Sequence, residues 1–241
     1  MRGGEISKDV NEPSVPNEGV QNLRKELDWK EAFRFARAQK QAGTPDFYLP
    51  VGEGAKLTDK EIDRTRREAR EAFDKGYFET AELRARQLVE VYDQPSRFSD
   101  YPLEEAQTLL ARAMSKQRKY AGPEFDKAIE LSARPFAFRS EDGRDTVHTG
   151  QLLFEKGVNA LTCKGRPDAK EAKKALEEAI LKLTAEHNGE RKKRADNLLP
   201  DVYEHRAIAK ARLGDIDGAL LDLEQAKDLR KRTMPPKKDG P

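Results

Sequence analysis

"ARLGDIDGALLDLEQA", residues 211–226, sets three aspartates and two glycines among small and apolar residues. A cation loop, a catalytic carboxylate cluster and a turn between two helices all compete for it. A calcium loop of the EF-hand kind needs oxygen ligands at its first, third and fifth positions, a glycine at the sixth and a glutamate at the twelfth. Counted from Asp215, the fifth, sixth and twelfth places hold Ala219, Leu220 and Ala226, so the cation reading fails. The turn reading succeeds: Gly214 ends one helix, Asp215 caps the next and favours its positive end, and Ala219 lets the pair approach closely. Beyond the turn, Ile216, Ala219, Leu220, Leu223, Ala226 and Leu229 recur at steps of three or four. That spacing predicts a buried stripe with Asp217, Asp222, Glu224 and Lys227 facing away from it.

The same grammar of helix, brief turn and alanine-bearing helix recurs upstream. It is found at 28–39, 69–89, 109–131 and 154–180, with the last copy at 205–229. Local signals agree. In "LTDKE", Thr58 and Glu61 have the spacing of a capping box, which starts a helix there. Gly76 then lets the chain reverse into a second helix, and Pro123 suits the first turn of another. Runs of β-branched residues are almost absent, so the prediction is all-α. One such hairpin cannot bury its own apolar faces, and stacking neighbours into an α-solenoid is the physical reason to repeat it.

These segments resemble tetratricopeptide repeats. The last unit carries the resemblance best, with Ala207, Gly214, Asp215, Ala219, Leu223 and Ala226 at the family's spacing, preceded by Tyr203. Ala69, Gly76, Ala81 and Leu88 repeat the framework, and Gly157, Ala160 and Ala179 do so more loosely. The alanines aligned in the second helices, Ala32, Ala81, Ala121, Ala172 and Ala219, stand further apart than the family's repeat of about 34 residues. The fold expected is a solenoid of roughly four helical hairpins, with an N-terminal helical cap at one end and the final helix closing the other.

Around this domain, 17–231, the sequence predicts a disordered arm over 1–16, non-helical linkers at 41–56 and 133–150, and a basic tail over 232–241. Phe136 and Phe138 in the second linker either tuck under helices or offer faces to stack on bases. Charged residues make up 37% of the 241-residue chain, yet 46 basic and 44 acidic residues nearly cancel. A net charge of +2 predicts no global attraction to nucleic acid or anionic lipid. The clusters "RKKR" (191–194) and "LRKRTMPPKK" (229–238) keep nucleic acid open as a partner without favouring it. No apolar run is long enough for a membrane span, and a cytoplasmic location is expected, with an organelle lumen or matrix as the alternative.

Cys163 stands alone and the three histidines are scattered, so no metal, cofactor or nucleophilic triad is expected. No GxxxxGK[ST] or GxGxxG string occurs. The sequence predicts a non-catalytic scaffold, adaptor or assembly factor for a peptide or protein subunit. Alternatives are an RNA-associated repeat protein or a structural subunit of a larger complex. The resemblance implies a concave groove lined by the first helix of each hairpin. In "DRTRREAREAF" it turns Arg66, Arg67 and Arg70 inward, where Arg66 and Arg70, one turn apart, suit a carboxylate or phosphate. The competing reading pairs Arg67 with Glu71 and Arg64 with Glu68 on an exposed face. His205 and Arg212 on the last unit complete the candidate partner-binding set. The family's chaperone-carboxylate clamp needs an asparagine directly after the small residue of the first helix. Here Val158 follows Gly157 and Asn159 comes one place late, so that clamp is not expected.

Overall fold

The capping box at Thr58 forms as the spacing predicts. In a computed structural model, which describes residues 57–93, 100–134, 146–187 and 189–233, the Thr58 side chain accepts from the Glu61 amide. The Glu61 carboxylate accepts in turn from the Thr58 amide at 2.8 Å. Helix α1 (Asp59–Asp74) starts there. Seven more follow: α2 (Phe78–Tyr92), α3 (Asp100–Lys116), α4 (Gly122–Ser132), α5 (Thr146–Thr162), α6 (Ala169–Thr184), α7 (Gly189–Arg212) and α8 (Ile216–Thr233). The described residues contain no strand and fall within one compact unit, Lys56–Pro241. The expected arm, the hairpin at 28–39 with Ala32, the linker at 41–56, Phe136 and Phe138 lie outside the described residues.

Each helix packs on its neighbours in sequence. In addition α1 touches α3, α3 touches α5 and α5 touches α7, while no two even-numbered helices touch among the described residues. The pairs α1–α2, α3–α4, α5–α6 and α7–α8 are the four predicted hairpins. Their inner faces are lined by alanine, and Ala69, Ala81, Ala85, Ala111, Ala128, Ala172 and Ala179 are fully buried. Small residues let helix axes approach closely, and Leu88, Phe125, Leu131, Leu152, Leu176 and Leu183 fill the remaining volume. The closest approach is at Gly157 of α5, where an added Cβ would stand 2.6 Å from Leu176 Cγ and 3.3 Å from the Ala172 carbonyl oxygen. Gly157→Val is therefore expected to cost about 2 kcal/mol by overpacking. Gly157→Ala should cost less, because alanine recovers roughly 1 kcal/mol of helix propensity. Urea titrations followed by circular dichroism check both.

Two hairpin turns use the predicted glycines, Gly76 at φ +81° and Gly214 at φ +85°. The α3–α4 turn has none, and Arg118 takes the left-handed conformation instead, at φ +58°. Its carbonyl accepts from the Lys164 amide at 2.7 Å, a contact between hairpins that holds the turn. A left-handed side chain costs about 1 kcal/mol, so Arg118→Gly is expected to stabilise the chain by up to about that amount. The same denaturation measurement reads this as a raised midpoint.

Several expectations need correction. The second linker is shorter than 133–150, because α5 is helical from Thr146. Arg232 and Thr233 belong to α8 rather than to the tail, and Arg230, Lys231 and Arg232 sit in its last turn, where cations meet the negative end of the helix. Ala121 is not the counterpart of Ala81, Ala172 and Ala219. Those three are each the fourth residue of their helix, whereas Ala121 is the N-cap of α4 and the fourth residue there is Phe125. In the corrected register 81, 125, 172 and 219, the steps are nearly even and still longer than the tetratricopeptide repeat.

The stripe on α8 also differs. Ala219, Asp222 and Ala226 are its buried residues, while Ile216, Leu220 and Leu223 are exposed. The helix is rotated so that its small residues meet α7 and its large ones point outward. Asp222 is therefore not solvent-facing, and α8 does not present the polar outer surface expected of a closing helix.

Candidate functional site

The odd-numbered helices form one face, where ion pairs between them stand beside shared apolar clusters. Arg70 of α1 pairs with Glu105 of α3. Arg112 of α3 holds Glu155 of α5 with both arms of its guanidinium, at 2.7 and 2.9 Å, and Gln151 donates to the same carboxylate at 3.0 Å. His148 of α5 lies 2.7 Å from the buried Glu104 of α3. The ladder ends in an aromatic contact between α5 and α7, where Phe154 and His205 meet edge to face at 5.2 Å. His205 Nδ1 stands 2.8 Å from the Asp201 carbonyl. Because that oxygen can only accept, Nδ1 carries the proton.

The candidate residues divide between the two ends of this face. Arg66 and Arg70 border a shallow open cleft between α1, α2 and α3, backed by Leu88, Tyr92 and Leu109. Burial pushes the Tyr92 hydroxyl above the ordinary phenol range, so it stays protonated. Among the described residues Arg66 is held only by Asp63, 3.6 Å away, in a pair where both side chains are well exposed. Such a pair is worth about 0–1 kcal/mol, and an incoming carboxylate or phosphate can replace Asp63 at little cost. Arg67 is exposed and has no polar partner among the described residues. Glu71, its expected partner, is taken by Lys75 at 2.6 Å. Arg64 does pair with Glu68, at 2.7 Å. Arg70 is already engaged by Glu105, so it is a weaker recruit than its spacing suggested.

At the other end, Arg212 donates to the Leu161 carbonyl at 2.8 Å. That oxygen lies in the last turn of α5, where carbonyls lack intrahelical partners. Arg212 is thus occupied in joining α7 to α5. The structure does not bring His205 and Arg212 together with Arg66, Arg67 and Arg70, because α3 and α5 stand between α1 and α7 in the packing order.

Asn159 is buried at 1% exposure and fully used. Its amide nitrogen donates to the Lys119 carbonyl at 2.8 Å and its oxygen accepts from the Ala121 amide at 2.9 Å. It holds the α3–α4 turn and is not offered to a ligand. Cys163 is likewise buried, its Sγ 3.1 Å from the Arg166 carbonyl. Among the described residues no group of three His, Cys, Asp or Glu side chains could hold a metal ion, and no helix is long and apolar enough to cross a membrane.

The residues that sequence reasoning missed are the cross-helix partners. Glu105, Arg112 and Glu155 bind the odd face together, and Glu82 collects Arg86, Gln117 and Lys119 between α2 and the end of α3. Only the spacing of Glu105, Arg112 and Glu155 on their own helices was visible beforehand. The "RKKR" cluster forms the first turns of α7, with Lys192, Lys193 and Arg194 exposed. No family model matches the chain, and no match was found among curated proteins or solved structures.

Proposed function

We propose that the chain is a non-catalytic scaffold or adaptor. In this reading it is an α-solenoid of four tetratricopeptide-like hairpins that receives an extended peptide or a protein subunit on the face built by α1, α3, α5 and α7. The observation that carries it is the pattern of helix contacts. The odd helices touch one another from hairpin to hairpin and the even ones do not, which is how a curved stack presents the first helix of each unit on its inner side. That face supports polar recognition. Among the described residues Arg66 and Arg67 are free or nearly so at one end, and the ladder from Arg70 to Glu155 gives it alternating charge rather than a single sign. An acidic segment or terminal carboxylate of a partner is the group best suited to Arg66 and Arg67.

Affinity purification of the intact chain tests the proposal. Arg66→Glu with Arg67→Glu is expected to lose the captured protein, and Leu181→Glu, at a 69% exposed position on α6, is expected to retain it. Loss in the α6 variant alone, or capture of nothing but a small molecule that the chain converts, would overturn the reading. The exposed cations at the start of α7 favour a second reading, contact with RNA phosphates. Capture that weakens steeply with moderate salt and is lost on neutralising Lys192, Lys193 and Arg194 would select it.

A further inference from the structure

We infer that the two touching turns after α3 and α5 bind the phosphoryl group of a phosphorylated side chain on a partner protein. Among the described residues Arg118 is the only non-glycine with a positive φ, at +58°. Gly76 and Gly214 stand at the same place, two residues after the end of an odd-numbered helix, and Gly165 stands three residues after one. Glycine suits the backbone at all of these turns, and a glycine at 118 would offer Lys164 the same carbonyl. The fold therefore gives no reason for a long cationic side chain there. A residue held in a sparsely populated conformation points to a use for that side chain.

Charge and donor count select the ligand. The 2.7 Å bond from the Lys164 amide to the Arg118 carbonyl sets these two residues side by side, and the Arg166 guanidinium lies over the Tyr120 ring, 5.3 Å from its centre. Arg118, Lys164 and Arg166 are exposed, and none is ion-paired among the described residues. The neighbouring acids are already engaged. Glu82 holds Lys119 and Arg86, Glu171 accepts from Tyr120, and Asp168 caps α6 through the Lys170 and Glu171 amides. The consecutive amides of Gly165 and Arg166 donate to no acceptor among the described residues, a turn arrangement that suits an anion. Three cations and two amides match a dianion with three acceptor oxygens, a phosphate monoester, whereas a carboxylate would leave most of the charge unmet. Asp168 and Glu171 interrupt the positive surface, so it offers no continuing track for a nucleic-acid backbone. No described heavy atom lies within 4 Å of a Cβ built on Gly165. A site this open suits a group carried on a protein surface better than a small molecule, which needs enclosing walls. The inference rests neither on the odd-helix face nor on the start of α7.

Nitrogen–proton correlation spectra of the full chain provide the test. The probes are a glycine–serine peptide carrying one phosphoserine, its unphosphorylated form, inorganic phosphate and a short oligouridylate. The phosphopeptide is expected to bind saturably and to move the Gly165 and Arg166 amide resonances most, and the unphosphorylated peptide to move neither. Inorganic phosphate should reach the same amides with lower affinity. Arg118→Gly should weaken phosphopeptide binding more than about tenfold while raising the denaturation midpoint, which separates loss of the side chain from loss of the fold. Arg166→Gln should weaken it as well, and Lys192→Gln with Lys193→Gln, cations on α7, should leave it unchanged. Absence of saturable binding, shifts centred away from Gly165 and Arg166, or an Arg118→Gly chain that binds as before would overturn the inference. So would inorganic phosphate bound as tightly as the phosphopeptide, which marks a free-anion site, or oligouridylate bound more tightly, which marks a nucleic-acid surface.

Discussion

Replacing Asp222 by alanine is expected to cost about 3 kcal/mol and to loosen α8 from α7 first. Its carboxylate is 3% exposed and accepts from Arg206 at 2.6 and 2.8 Å and from Lys210 at 3.0 Å. Removing it leaves two mostly buried cations without the carboxylate they share, and breaking a buried ion pair from one side typically costs about 3–5 kcal/mol. Changing the whole cluster at once, Asp222→Leu with Arg206→Leu and Lys210→Met, should recover most of the loss, since apolar groups of similar volume replace such clusters at little cost. Chemical denaturation of the single and triple variants measures both effects.

The same carboxylate gives a pH dependence. Burial, its largest single influence, pushes the Asp222 carboxyl up. The hydrogen bonds and charges of Arg206 and Lys210 together outweigh burial and hold it below the ordinary carboxylate range. Glu82 behaves alike, with burial again opposing and Lys119, Arg86 and Gln117 prevailing. A carboxyl depressed in the folded state contributes stability that is complete above its unfolded value, about 4. That contribution is lost as the pH falls through the folded value. The chain is therefore expected to hold its denaturation midpoint near neutrality and to lose stability below about pH 4, with Asp222→Asn showing a shallower loss.

Asn159→Ala is expected to be similarly severe, at about 3 kcal/mol. The substitution strands the Lys119 carbonyl and the Ala121 amide, and each buried backbone group left unpaired costs about 1–3 kcal/mol. Asn159→Asp separates the two effects. The carboxylate can still accept from Ala121 but has no proton for Lys119, and it places a charge against a carbonyl oxygen in a buried setting, so it should be at least as damaging as alanine. Thermal unfolding followed by circular dichroism, with Arg118→Gly as a stabilising background, would detect both.

What was legible in the sequence was what is encoded locally. The box at Thr58 and Glu61, the turns at Gly76 and Gly214, and Pro123 at the start of α4 are each read from a few adjacent residues, and each is formed as expected. The helical hairpins followed from periodicity. Errors entered where a partner on another helix decides the outcome. Asp222 looked solvent-facing because leucine outranks alanine in any hydrophobic count. Yet α8 approaches α7 through Ala219 and Ala226, and the position between them is the one that Arg206 and Lys210 reach. Ala121 was matched to Ala81 by residue type, whereas the position in the helix belongs to Phe125. In the candidate site, the three arginines of α1 were visible from their spacing. Their availability was not, because Glu105 is on a different helix and Glu71 had Lys75 within reach.

Hydrogen exchange on the intact chain, alone and with a protein captured from its native source, tests most directly whether the odd-numbered helices form the receiving face. The partner is expected to slow exchange in α1, α3, α5 and α7, most strongly in the segment holding Arg66 and Arg67, and to leave α2, α4 and α6 unchanged. Protection confined to α2, α4 and α6, with the odd-numbered helices exchanging as in the free chain, would contradict it.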